Sequence, residues 1–182
     1  MSSPSATASP AAPAGSPLAR LLAFPDPVNE VSARLVAGGV IAMCTATVAL
    51  DQPWITAVIA YGFVARALTG PTLSPLGQLV TRVVTPALGL TSRPVPGPPK
   101  RFAQAIGAVV STAAAVLALG LDAKEAAYGL LGLMIIFASL EALFGLCLGC
   151  RVFALLIRAG VVPERVCERC VIAAPGAGGP GR

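Results

Sequence analysis

Histidine is missing altogether from the 182 residues. That excludes a Ser-His-Asp triad, a histidine-ligated zinc or haem, and any imidazole acid–base step. Charge is scarce as well. Asp, Glu, Lys and Arg make up 12% of the chain, where a soluble domain carries about a quarter. The basic residues outnumber the acidic ones, 13 to 8. They flank apolar segments and form no stripe, so no nucleic-acid partner is expected. The opening residues also lack the basic start and apolar core of a signal peptide.

Apolar residues are what the chain has in quantity: 55% of the total, with a mean hydropathy of +0.81. They fall in long runs separated by the few charges, which is a membrane pattern. The expected fold is an all-α membrane protein with four transmembrane helices, arranged as two related helical hairpins plus interfacial amphipathic helices. Residues 1–17 read as a disordered Ala/Pro/Ser tail and 173–182 as a second, Gly/Pro-rich one. Between them, 18–172 form the membrane domain, with spans at about 31–50, 53–69, 102–121 and 124–149.

Local signals mark the boundaries. Asp51-Gln52-Pro53-Trp54 is a tight turn, with Pro53 at a first helical position and Trp54 at the membrane interface. Asp122-Ala123-Lys124-Glu125 has the pattern of a capping box. Ser74 caps an amphipathic helix that starts at Pro75 and ends at Pro86. The first two spans are short for a bilayer, so a re-entrant hairpin is the alternative there. Small residues recur at every fourth position in Gly38, Ala42, Ala46, in Ala103, Gly107, Ser111, Ala115, and in Gly145, Gly149. Such stripes serve either a dimer face or packing inside the bundle.

Orientation follows from the loop charges. Arg66, Arg82, Arg93, Lys100 and Arg101 lie between the second and third helices with no acid among them, whereas the other two turns are mainly acidic. Basic loops stay inside, so both termini are expected in the cytoplasm of a multi-pass inner (plasma) membrane protein.

The two hairpins look duplicated. Arg66-Ala67-Leu68-Thr69-Gly70-Pro71-Thr72-Leu73 aligns with Glu141-Ala142-Leu143-Phe144-Gly145-Leu146-Cys147-Leu148, and Arg34-Leu35 resembles Arg101-Phe102. The alignment sets Arg66 opposite Glu141, each a lone ionisable residue in its helix. Ionised groups in lipid are costly unless paired. Either these two form an intramembrane ion pair, or Arg66 snorkels to the interface while Glu141 bonds a neighbouring hydroxyl.

Cys147-Leu148-Gly149-Cys150 and Cys167-Glu168-Arg169-Cys170 lie sixteen residues apart, on a cytoplasmic segment at 147–170. That spacing matches a structural zinc site with four cysteine ligands. Each pair also has the spacing of a redox dithiol, with Arg151, Arg165 and Arg169 at hand to stabilise thiolates. In this reading all four cysteines are catalytic; in the other they are metal ligands. Helix four is expected to run on through Arg151 to Ala159, stopping at Gly160, and a short helix to return from Pro163 to Cys170. Cys44, alone in mid-helix, reads as a small packed hydrophobe.

Arg66-Ala67-Leu68 with Gly70-Pro71, Ser74-Pro75, Pro86, Pro99 to Gln104, Phe144-Gly145-Leu146-Cys147-Leu148-Gly149-Cys150 and the final Cys-x-x-Cys together resemble a bacterial integral membrane family carrying domain of unknown function 4395. The resemblance covers about Pro25 to Cys170. It implies a thioredoxin-like or rhodanese-like partner beside the lipid bilayer, and no established catalytic residue. The expected function is a cytoplasmic-face thiol–disulfide or sulfur relay. A zinc-clamped scaffold and a small permease using Arg66 and Glu141 are the alternatives.

Overall fold

The computed structural model describes residues 24–163. Cys167, Cys170, the expected helix after Pro163 and both tails lie outside the described residues. The helices are α1 (Glu30–Ala49), α2 (Ile55–Thr69), α3, α4 (Gly97–Gly120), α5 (Lys124–Phe144) and α6 (Leu148–Arg158). α3 is continuous from Pro75–Leu79 through a π turn, Val80–Val84, to Thr85–Ala87. The wider π turn lets α3 carry Pro86 past the point where its missing N–H would break an α-helix. Among the described residues, a two-residue antiparallel pair, β1 (Val28–Asn29) with β2 (Pro94–Val95), is the one sheet. It ties the chain before α1 to the loop before α4.

α1, α4 and α5 are long and apolar enough to cross a membrane; α2, at 15 residues, is apolar but shorter. Their outer faces bear the marks of a lipid-facing surface. Val109 is 70% exposed and Ile136 58%, whereas Thr47, Thr56, Ser74 and Ser111 are fully buried. Water would drive the reverse distribution. The buried hydroxyls are bonded within the protein, Thr47 to the Met43 carbonyl and Ser111 to that of Gly107, as a medium without water requires. The protein is therefore a multi-pass membrane protein.

α1 packs chiefly against α5, and α2 against α4. Val40, Cys44, Ile59, Ala114, Leu131 and Met134 form the core, with Cys44 fully buried as expected. Close approach depends on small residues. A Cβ on Gly107 would run into the Phe63 ring, and one on Gly149 would lie 2.6 Å from the Ala103 Cβ. The stripes through Ala103–Gly107 and Gly149 thus serve internal packing. Gly38 has open space beside it.

Several boundaries differ from expectation. α4 begins at Gly97, because Pro98 and Pro99 occupy its first turn, where a missing N–H costs nothing. α2 begins at Ile55 with Trp54 as N-cap. The capping box at Asp122 does not form: Asp122 takes a left-handed φ of 51° and α5 starts uncapped by any side chain. Helix four does not continue to Ala159. It ends at Phe144, with Gly145 left-handed and Leu146 N–H bonded to the Leu140 carbonyl, a Schellman-type stop. The chain turns there and α6 begins anew, ending at Gly160 as expected.

Candidate functional site

The break at Gly145 makes Cys147 the N-cap of α6 and places Cys150 in its first turn. α6 is amphipathic and packs on α4, with Phe153 against Phe102 at a centroid distance of 5.5 Å. Arg151 and Arg158 sit on its exposed face. The close contact of Gly149 with Ala103 holds the start of α6, and with it Cys147, against α4.

Beside the cysteines, Lys100 of α4 donates to Glu141 of α5 at 2.5 Å, with side-chain exposures of only 9% and 16%. Arg66 of α2 is 5% exposed. Its Nε donates to Gln104 Oε1 at 2.9 Å, its Nη1 to Ser74 Oγ at 3.0 Å, and its guanidinium lies 4.5 Å from the centre of the Phe63 ring. Ser74 has a second task, accepting from the Gly77 N–H to cap α3. Neither of the two alternatives for Arg66 and Glu141 is seen among the described residues: they make no salt bridge, and Arg66 is buried rather than snorkelling while Glu141 is bonded by a lysine and not a hydroxyl. Lys100 takes the carboxylate, and two neutral acceptors and an aromatic face surround the arginine. Arg66 and Glu141 nevertheless line one cavity of about 120 Å³, together with Gln104 and Cys147.

The two thiols are unlike each other. Cys147 is buried and Cys150 half-buried, and both are free. A hydrogen bond from the Cys150 thiol holds Cys147 below the ordinary thiol range, with the Lys100 charge acting in the same direction against burial and Glu141. The same bond pushes Cys150 up. The cation that acts on these thiols is thus Lys100 rather than the exposed Arg151. Among the described residues no group of three or more Cys, Asp or Glu is placed to hold a metal.

Lys100 and Gln104 were not singled out as site residues by the sequence. Their signal was there: Lys100, Gln104, Gly107 and Ser111 follow one another at helical spacing, so both polar residues share the face of the small-residue stripe. Once Gly97 starts the helix, Lys100 cannot be a loop residue.

At the other end of the bundle, Lys124 donates to Asp51 at 3.1 Å and the Tyr128 hydroxyl to Asp51 at 2.5 Å, linking the two turns. The Tyr128 hydroxyl, and then Lys124, hold the Asp51 carboxyl below its ordinary range.

A model described as Domain of unknown function (DUF4395) matches residues 28–158. No curated protein and no solved structure matches the chain. With well over half its length under that model, the chain belongs to this family.

Proposed function

We propose that this member of the family is an inner-membrane dithiol relay, in which Cys147 and Cys150 cycle between dithiol and disulfide at the cytoplasmic end of the bundle. One observation carries the reading. Cys147 occupies the N-cap position of α6, with Cys150 one turn on, and both thiols feel the charge of the buried Lys100. Helix N-termini and nearby cations are the settings that make a cysteine reactive. Cys167 and Cys170 form the second pair, passing electrons from a thioredoxin-like or rhodanese-like partner. The membrane orientation rests on charge. Exposed Arg82, Arg93, Arg101, Arg151 and Arg158 gather at one end, and Asp51, Asp122 and Glu125 at the other, so the basic end faces the cytoplasm. In this arrangement α2 is a fourth, short span and both termini are cytoplasmic.

A duplicated hairpin fits the same arrangement. Arg34 of α1 donates to the Ala142 and Leu143 carbonyls at the end of α5, and Arg101 of α4 to the Ala67 carbonyl near the end of α2. Ala67 and Ala142 are equivalent in the aligned repeats, as are Arg34 and Arg101. Each hairpin thus caps the other, and Gly70 and Gly145, also equivalent, both have positive φ.

The test is a trap. Reduced protein mixed with a thioredoxin lacking its resolving cysteine, preloaded as an activated disulfide, should form a mixed disulfide with one of the two pairs. Wild-type protein purified under reducing conditions should carry little zinc. One zinc per chain, lost together with structure on Cys167→Ser, would overturn the relay and leave a zinc scaffold held by Cys147, Cys150, Cys167 and Cys170. A permease is the further alternative, favoured by the cavity that Arg66 and Glu141 share. Uptake into vesicles abolished by Glu141→Gln would select it.

A further inference from the structure

The cavity that Cys147 lines extends well beyond the polar cluster, and what surrounds it suits a lipid-soluble ligand. At about 120 Å³ it is smaller than a site that encloses one benzene ring, about 150 Å³, so a larger ring would enter only in part and extend through an open side. Val36, Val40, Val110 and Met134 form its apolar wall. Ile106 of α4 and Leu133 and Phe137 of α5 also line it, and they are 38%, 40% and 39% exposed. These three lie within membrane-crossing helices, so their exposure is to acyl chains. The cavity therefore opens sideways into the bilayer.

Its polar end offers hydrogen-bond donors. Arg66 uses Nε and Nη1 on Gln104 and Ser74, and among the described residues its Nη2 has no acceptor. The amide nitrogen of Gln104 is likewise without one, its oxygen being taken by Arg66. A ligand that presents acceptor oxygens on a flat apolar ring, arrives from lipid and meets a dithiol is a quinone. Among the described residues Arg66 has no carboxylate in salt-bridge contact. Its charge would stabilise the negative charge that develops on a quinone oxygen as the ring is reduced.

We propose that this cavity binds a membrane quinone, and that the quinone is the two-electron oxidant of the Cys147–Cys150 dithiol. The step balances. Both S–H bonds break and one S–S bond forms, while two electrons and two protons pass to the quinone, whose two carbonyl oxygens become hydroxyls. The hydroquinone leaves through the lateral opening. The proposal rests on the dithiol relay and supplies the acceptor for its electrons.

The experiment uses the full chain, reduced and reconstituted in nanodiscs without oxygen, with decylubiquinone as probe and diamide as a water-soluble thiol oxidant. The expected result is that decylubiquinone is reduced with two thiols lost per quinone, and that mass spectrometry finds Cys147 joined to Cys150. Cys147→Ser should abolish this. Ala33→Phe, which fills the cavity from α1, should block oxidation by decylubiquinone while leaving oxidation by diamide intact, and a thermal unfolding midpoint like that of the unaltered protein shows that the variant is folded. In the unaltered protein, decylubiquinol should slow alkylation of Cys147. Oxidation by diamide but not by decylubiquinone would overturn the quinone inference and leave the relay standing. Oxidation by neither would remove both. Equal quinone reduction by wild type and Ala33→Phe would refute this cavity as the site.

Discussion

Replacing Lys100 by methionine should destabilise the bundle more than any substitution on its outer face. The Lys100–Glu141 bridge spans 2.5 Å between side chains that are 9% and 16% exposed. Both charges have thus surrendered most of their solvation, and each depends on the other. Methionine preserves the apolar stem and removes only the charge, leaving the Glu141 carboxylate uncompensated. Breaking a buried pair from one side costs about 3–5 kcal/mol, whereas replacing both partners by apolar residues of like volume is often neutral or stabilising. Lys100→Met and Glu141→Leu should therefore each cost about 3 kcal/mol or more, and the double variant about 1 kcal/mol or less. The coupling, the double effect minus the sum of the singles, would favour the native pair by several kcal/mol. The assay is denaturant unfolding in mixed micelles, followed by the near-ultraviolet signal, on wild type, both singles, the double and the charge swap Lys100→Glu with Glu141→Lys. Single effects that simply add, or a double variant as unstable as their sum, would refute the pairing.

The same geometry sets four further outcomes. Alkylation of Cys147 by iodoacetamide should rise with pH through a midpoint below the ordinary thiol value of about 8.5, because the Cys150 thiol and Lys100 favour its thiolate; reactivity is lost as pH falls through that midpoint. Lys100→Met, read by the same pH–rate profile, should move the midpoint upward. Gly107→Val should cost about 1–3 kcal/mol by overpacking against Phe63, and Phe63→Ala in the same chain should recover part of that in thermal unfolding. Arg34→Ala should cost about 1.5–3 kcal/mol through its lost charged hydrogen bonds to the end of α5. Hydrogen exchange should then find residues 140–146 opening first.

How much was legible in the sequence depended on the range of the interaction. Hydropathy is a local sum, so the apolar runs pointed to helix where α1, α2, α4 and α5 lie, and the first run, 31–50, nearly coincides with Glu30–Ala49. Ser74 and Gly160 were equally readable, since an N-cap and a left-handed stop are properties of one residue and its near neighbours. The family was legible through short motifs for the same reason. Local signals failed where the surroundings outweighed them. Pro98 and Pro99 read as loop and proved to be a helix start. Gly145 read as one of a packing stripe, and its left-handed stop became visible only with the chain turned onto α4.

The partners were not legible at all. Nothing within a few residues of Glu141 indicates whether it pairs with Arg66 or Lys100, because that choice is made where α2, α4 and α5 converge. There Lys100 bonds the carboxylate, while Arg66 finds Gln104, Ser74 and the face of Phe63. The same convergence set the two cysteines in different surroundings. Both belong to one motif, but Cys147 is buried at the N-cap position of α6 while Cys150 is half-buried in its first turn. Composition and periodicity determined that this chain folds as helices in lipid, because solvation is decided residue by residue. Only the tertiary structure decided which buried charges face each other and the two thiols, because electrostatic energies in a medium of low dielectric depend on distances between helices that no local run of residues encodes.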